Sequence, residues 1–176
     1  AYVKHDNMSI IEVQEKKSAL EQMMPHLLAM FKASDIKPQV RFFEGKEGAK
    51  KMQDEFLKST SKQSISLTSA DDVVSVFPAH PSKYTPRRVQ LGIHSRMIYT
   101  SAKGPFIKND ASLLREVRFI SPEKLPFHLD IAVYDDTVAI SDMKTQVSGI
   151  LIKHQGIADS MRGLLEFIWS QAQAVD

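Results

Sequence analysis

The stretch Val40-Arg-Phe-Phe-Glu-Gly-Lys-Glu-Gly-Ala-Lys-Lys51 joins a short strand to a helix through a glycine-containing turn. Residues 40–43 follow the Lys37-Pro38 pair, which favours extended backbone. The glutamates beside the turn favour the first turn of a helix. Apolar side chains then recur at helical spacing and form one buried stripe: Ala49, Met52, Phe56 and Leu57. This stretch therefore predicts a strand, a tight turn and an amphipathic helix.

Alternation and turn residues predict the remaining elements. Strands are expected at residues 64–68, 95–99, 116–120, 129–134, 138–140 and 148–152. Residues 77–85 contain Pro78 and Pro81 and are followed by Pro86, so they predict a loop. A short helix at 87–91, capped by Gly92, is expected next. Asp135-Asp136 predicts a two-residue hairpin turn, and residues 157–171 predict a closing helix. Helices and strands thus combine in an α/β fold.

Composition is that of an ordinary globular protein. Of 176 residues, 43% are hydrophobic and 25% are charged, and no cysteine is present. No apolar run approaches the ~20 residues that span a bilayer, and the first residues lack a signal-peptide core. We therefore expect no membrane partner, no disulfide and a cytoplasmic location.

Residues 8–31 predict a separate helix with an apolar seam. The seam is formed by Ile10, Val13, Leu20, Met24, Leu27 and Phe31, and Lys17 interrupts it. Pro25 is expected to kink this helix near residues 22–24. The helix either packs on its own domain or dimerises. We divide the chain into a linker or dimerisation helix at 1–32 and an α/β effector-sensing domain at 33–176.

Four collinear pieces resemble the regulatory domain of TrmB-type transcriptional regulators. They are the strand–turn–helix at 40–51, Arg87-Arg88 before Gly92-Ile93, Leu114-Arg-Glu-Val-Arg118, and the hairpin Tyr134-Asp-Asp-Thr with the run Gly149-Ile-Leu-Ile and a last helix ending in Phe167-Ile-Trp. The resemblance covers roughly residues 10–170.

The resemblance implies a single mixed-sheet domain of phospholipase D-like fold behind a linker helix. It implies a homodimer that binds a small-molecule effector, with a sugar or sugar phosphate as the expected class. DNA would be bound only through an N-terminal winged helix that this chain does not include. A non-sensing dimerisation scaffold of the same fold is the alternative.

Catalysis by the phospholipase D mechanism needs a histidine nucleophile, a lysine two residues on and an aspartate five beyond that. The residues that lie two positions after the six histidines are Asn7, Leu28, Ser82, Arg96, Asp130 and Gly156. None is lysine, so we expect no enzyme activity by that mechanism. An enzyme of this fold that lacks the usual pattern stays open as an alternative.

The sequence predicts neither a metal site nor a cofactor. His128 and Asp130 share a strand face, but two ligands on a half-exposed strand are explained more simply as surface residues. Hairpin chemistry accounts for Asp135-Asp136, since no oxygen-rich loop surrounds it.

Basic residues between Asp72 and Asp110 indicate a candidate effector site. They form either a solvated surface or a cleft for an anionic or hydroxyl-rich metabolite, and direct DNA contact lacks aromatic interleaving. We predict ligand contacts from Arg88, Arg96 and Arg118, with Glu44 as a hydroxyl acceptor. An exposed cleft arginine contributes little to folding, so Arg88→Ala should weaken binding and leave the Tm nearly unchanged.

Overall fold

The computed structural model describes residues 14, 17–18, 21–24, 37–78 and 80–175, and the chain divides into two units, Ala1–Pro38 and Gln39–Asp176. In the first unit the described residues from 14 to 24 are helical. Lys17 Nζ lies 3.9 Å from Glu21 Oε1, one helical turn on. Most of the predicted apolar seam, including Val13, Leu20 and Leu27, lies outside the described residues, as does Pro25.

The second unit is an α/β domain. Its strands are β1 (Gln39–Glu44), β2 (Gln63–Ser69), β3 (His94–Thr100), β4 (Arg115–Phe119), β5 (Leu129–Tyr134), β6 (Thr137–Asp142), β7 (Ser148–Lys153) and β8 (Gln173–Ala174). Its helices are α1 (Gly45–Phe56), α2 (Ala70–Val76), α3 (His80–Gln90) and α4 (Gln155–Gln171), and a 3-10 turn spans Ala111–Leu113.

One mixed sheet of eight strands has the order β1-β7-β6-β5-β2-β3-β4-β8. The central strands β2, β3 and β4 pair in parallel, and the other neighbouring strands of the described sheet pair antiparallel. The β5–β6 pair closes at Asp135-Asp136, with Tyr134 opposite Thr137, so the predicted hairpin is confirmed. The predicted α/β fold with a single mixed sheet is likewise confirmed.

Strand alternation separates two layers of side chains on the sheet. On β2, Ile65 and Leu67 are buried toward α4, where they pack with Leu165 and Trp169. Ser64, Ser66 and Thr68 face the other layer, which α1, α2 and α3 cover. Hydroxyl groups therefore form much of the sheet surface on the second side.

The predicted amphipathic stripe of α1 is confirmed, because its four apolar residues are all buried. Gly45 and Gly92 adopt left-handed backbone with φ of 66° and 69°, as the turn before α1 and the end of α3 require.

The predicted loop at 77–85 is wrong, because α3 begins at His80. Pro81 falls in the first turn of that helix, where an N–H has no intrahelical acceptor to lose. The short helix α2 and the two-residue strand β8 were not predicted. The sequence of α2, Ala-Asp-Asp-Val-Val-Ser-Val, is too short to show a helical period.

Candidate functional site

A cavity of about 210 Å³ lies between the hydroxyl-bearing face of the sheet and helices α1, α2 and α3. Its floor includes Ser64, Ser66 and Thr68 from β2 and Asp130 from β5. Arg115 of β4 lines it as well. The helices complete the wall with apolar side chains and with polar groups, among them Gln53, Thr85 and Arg88.

Two buried polar atoms on the lining residues have no hydrogen-bond partner within the described part of the chain. They are the Thr68 hydroxyl oxygen and the Arg115 Nε. Thr68 is only 6% exposed. An unpartnered buried polar group costs about 1–3 kcal/mol, so a native fold rarely retains one without a use. Both atoms belong to residues of the same cavity, which makes this cavity the strongest candidate for a ligand site.

The Asp130 carboxyl group has an unusual acidity. Burial raises its pKa to about 6, and the Thr68 hydroxyl, its neighbour across the β2–β5 pair, opposes the shift in part. Desolvation disfavours the charged form of a carboxyl group, and here no cation compensates within the described residues. A perturbed acid in a cavity is a recurrent property of binding and catalytic sites.

Arg88 also lines the cavity, but its donors are already used by the fold. Its guanidinium donates to the backbone carbonyls of Ile93, Leu113 and Leu114, and the residue is 4% exposed. These bonds connect the end of α3 to the start of β3 and to the 3-10 turn. The prediction that Arg88 is an exposed cleft arginine is therefore wrong.

Arg96 and Arg118 lie on the opposite face of the sheet, against α4. Their guanidinium carbons sit 4.3 Å and 4.9 Å from the centre of the Trp169 ring. Arg96 also pairs with Glu166, and Arg118 donates to the Trp169 carbonyl at 2.7 Å. Both contacts anchor the last turns of α4 to the sheet.

Glu44 ends β1, at the edge of the sheet, and makes no side-chain cap to α1. Strands β7, β6 and β5 stand between β1 and β2. The four residues predicted as one ligand site, Arg88, Arg96, Arg118 and Glu44, are thus distributed over both faces and one edge. Arg115 and Arg118 lie three residues apart on β4 and face opposite sides of the sheet, so only Arg115 shares the cavity with Arg88.

His128, Asp72 and Lys144 form a second polar cluster, and two of them are sequence neighbours of residues that line the cavity. His128 Nδ1 is 3.0 Å from Asp72 Oδ2, and His128 Nε2 is 3.0 Å from Lys144 Nζ. Asp72 precedes Val73 and Lys144 follows Met143, and both Val73 and Met143 line the cavity. The two ring nitrogens of His128 are thus held by a carboxylate on one side and an ammonium group on the other.

His128 also begins an altered form of the phospholipase D pattern. Asp130 occupies the lysine position two residues on, and Asp135 stands five residues beyond it. Burial by itself would raise the pKa of Asp135. Hydrogen bonds from the Thr60 and Ser61 N–H groups and from the Ser59 hydroxyl outweigh it and lower that pKa to about 2. Asp135 therefore fixes the loop before β2 in place.

A wider groove of about 660 Å³ lies at the hairpin end of the sheet, but its charges satisfy one another. Glu55 pairs with Arg41 at 3.4 Å and with Lys58 at 3.1 Å, and Lys153 pairs with Asp136 at 3.7 Å. The described residues contain no group of three or more His, Asp or Glu that could hold a metal ion.

Sequence reasoning missed Asp130, Thr68 and Arg115 as a group, although part of the signal was present. Ser64, Ser66 and Thr68 alternate on one strand and so share a face. Asp130 is the one charged residue in β5, whose other residues are apolar or aromatic. What the sequence could not provide was the pairing of β2 with β5, which brings the two together.

Comparison with known proteins defines the fold. TrmBL2, described as an archaeal chromatin protein with a novel mode of DNA binding, is 15% identical and matches 93% of this chain with a TM-score of 0.56. This chain spans 65% of the length of TrmBL2. Nuc, a phospholipase D family member from Salmonella typhimurium, is also 15% identical. The match covers 78% of this chain and 98% of Nuc, with a TM-score of 0.52.

The domain accordingly has the α/β fold of the phospholipase D type, with one mixed sheet. No protein-family model and no curated protein sequence matches the chain. Among the described residues, no helix has both the length and the apolar character needed to cross a membrane.

Proposed function

We propose that this chain is the ligand-sensing and dimerisation module of a helix-turn-helix transcriptional regulator of the TrmB type. The observation that carries the proposal is the cavity in which Thr68 and Arg115 have unpartnered polar atoms and Asp130 has no compensating cation. Groups of this kind are maintained when a ligand supplies their missing partners. The module itself catalyses no reaction.

The likeness to TrmBL2 supports the regulatory assignment, since that protein is described as binding DNA. In this proposal, DNA is contacted through a winged helix N-terminal to this chain, and two copies associate through the linker helix. The effector class implied by the sequence resemblance is a sugar or a sugar phosphate.

A ligand in the cavity would contact the sheet and all three helices above it. It would stabilise the arrangement in which these elements are closed around it, and so shift the population toward that arrangement. The change would alter DNA binding only if the two states hold the DNA-binding heads differently.

The experiment uses an isosteric change at the cavity floor. Thr68→Val removes a buried hydroxyl but also its favourable effect on the Asp130 carboxylate, so the domain should lose ligand affinity while its free energy of unfolding changes by less than about 1.5 kcal/mol. A thermal-shift screen of sugars, sugar phosphates, amino acids and organic acids against both proteins would measure this. Ser112→Ala, in the 3-10 turn, is the matched hydroxyl control and should leave ligand binding unchanged.

Two results would count against the sensor. One is a screen in which no small molecule raises the Tm of the parent protein. The other is a ligand that raises the Tm of Thr68→Val and of Asp130→Asn by as much as it raises the Tm of the parent protein. A dimer that forms in either case would favour the interaction scaffold.

A second candidate function is phosphodiester hydrolysis, and the contacts of His128 favour it. Asp72 orients the imidazole, and Nε2 could attack phosphorus and break the P–O bond to one alcohol, which leaves with a proton from water. Water would then hydrolyse the phosphohistidine, and Lys144 could hold the phosphoryl oxygens in place of the usual lysine. Asp130 opposes this reaction, because it places a carboxyl group at the position where the pattern requires a cation.

Hydrolysis of bis(p-nitrophenyl) phosphate without added metal separates the two functions. The sensor proposal expects no turnover above background. Turnover that is lost in His128→Asn and in Lys144→Gln, but retained in the control His94→Asn, would establish the enzyme instead.

A further inference from the structure

The two ends of the cavity are unlike and well separated. Thr68 and Asp130 are paired across β2 and β5, while Ser64, Ser95 and Arg115 form a row across β2, β3 and β4. The two rows are four residues apart along β2, about 13 Å, and Asp130 and Arg115 are three strands apart, about 14 Å at right angles to it, so their backbones are about 19 Å apart. A ligand that reaches both ends must therefore be elongated.

The end at β4 is positive. Arg88 and Arg115 both line it, and each charge acts on the other, because Arg115 contributes after burial to the lowered pKa of Arg88. Within the described residues no carboxylate oxygen lies within 4.0 Å of either guanidinium, whose hydrogen bonds go to backbone carbonyls. The nearby Asp110 carboxylate accepts from Ser112 and Leu113, and after these hydrogen bonds the Arg115 charge also helps to lower the pKa of Asp110.

The end at β5 is acidic. The Asp130 carboxyl has no ion-pair partner in the part of the chain that the structure describes, and Thr68 beside it has an unpartnered hydroxyl. His128, two residues before Asp130, is committed to Asp72 and Lys144. This end therefore lacks a hydrogen-bond donor with positive charge.

The space between the two ends has the Ser66 hydroxyl on its floor and apolar side chains on its walls. Phe56 and Met52 come from α1, and Met97 comes from β3. These apolar side chains provide a surface on which a body of methylene groups can pack.

We infer that the cavity binds a small zwitterion with an aliphatic body, whose anionic group faces Arg115 and whose ammonium group faces Asp130. The inference rests on the proposed sensor function and narrows its effector class. It replaces the sugar class by an ω-amino acid, whose ammonium and carboxylate groups lie at opposite ends of an aliphatic chain.

The test compares four probes of similar length by isothermal titration calorimetry on the full chain. They are ε-aminocaproate, which carries both charges, caproate, hexylammonium and the neutral hexanediol. The zwitterion should bind at least about tenfold more tightly than either singly charged probe, because each end adds a charge-assisted contact. Hexanediol should bind most weakly.

Variants assign each charge to its end. Asp130→Asn should weaken the zwitterion about ten- to a hundredfold and leave caproate unchanged, whereas Arg115→Gln should weaken both. Arg115→Lys keeps the charge and should retain part of the affinity, which provides a folded variant if the glutamine protein is unstable. Arg87→Gln, an exposed arginine next to Arg88 that pairs with Asp54, is the control and should change neither.

The outcomes distinguish this inference from the sensor proposal. Binding of a neutral sugar or of a simple anion that Thr68→Val abolishes, without preference for the zwitterion, overturns the inference and leaves the sensor function standing. Zwitterion binding that is indifferent to both Asp130→Asn and Arg115→Gln overturns the assignment to this cavity. Failure of every molecule, sugars included, to bind the parent protein overturns both.

Discussion

Asp130 carries a carboxyl group that the fold holds partly away from water, and its ionisation should be visible in the pH dependence of stability. Its folded pKa is about 6, against 3.8 for the ordinary group. As the pH rises from 3.8 to 6, the unfolded chain releases this proton first. The contribution of Asp130 to the free energy of unfolding therefore falls across that window and stays low above it.

Asp130→Asn should remove this cost. We expect the variant to be more stable than the parent by roughly 1–3 kcal/mol above pH 7, with the difference shrinking toward zero below about pH 4. Urea unfolding at several pH values measures it. A difference of constant size at every pH would show that the gain comes from something other than the charge.

The main role of Arg88 is to stabilise the fold, and its positive charge also contributes to the electrostatic potential of the cavity. Arg88→Ala removes the bonds to three buried carbonyls and should lower the free energy of unfolding by roughly 2–4 kcal/mol. Arg87→Ala breaks only an ion pair whose side chains are 59% and 52% exposed, and should cost less than about 1 kcal/mol. Equal losses from the two substitutions would contradict this difference in role.

At the scale of elements, helix α1 packs closely on strand β7 where Met52 contacts the backbone at Gly149. A Cβ at this position would meet Met52 Sδ at 2.3 Å and the Ile140 carbonyl oxygen at 3.1 Å. Met52 could move, but the strand carbonyl of β6 could not. Glycine at this position therefore permits the contact of helix and sheet.

Gly149→Ala should cost roughly 1–3 kcal/mol in the free energy of unfolding, because it overpacks this contact. The double variant with Met52→Ala should lose less than the sum of the two single variants, since the clash has been removed. Gly163→Ala, on α4 with nothing within 4 Å of the new Cβ, is the control and should stabilise by up to about 1 kcal/mol. Simple additivity of the two losses would exclude the contact as their cause.

Local patterns predicted those elements whose side chains show a clear period. The hairpin at Asp135-Asp136 and the stripe of α1 are examples, since alternation and turn chemistry act over a few residues. Only the second half of α3 was predicted, because Pro81 is compatible with a first helical turn as well as with a loop, and Pro86 lies inside the helix, where proline is unfavourable. The cavity was missed because it depends on the neighbours of β2, and strand order is a property of distant segments.

At the scale of the whole molecule, we predict a homodimer formed in part by the helix that carries Val13, Leu20 and Leu27. These residues lie outside the described part of the chain, so the prediction rests on their spacing. Their burial would contribute about 1.5–3 kcal/mol each before the cost of association. Leu20→Glu should shift the dimer toward monomer in sedimentation experiments, while Lys17→Leu should tighten it. A monomer at concentrations of tens of micromolar would contradict the prediction.

The position of β1 at the edge of the sheet has a consequence for synthesis on the ribosome. In the described sheet β1 pairs on one side only, with β7, and Glu44 lies opposite Ser148. About a hundred residues must therefore be translated after β1 before its partner exists. Until then Val40 and Phe42, which are 45% and 77% exposed even in the folded chain, are part of an unpaired apolar strand. The nascent chain thus presents a segment of the kind that chaperones bind, and release of that segment awaits the translation of β7.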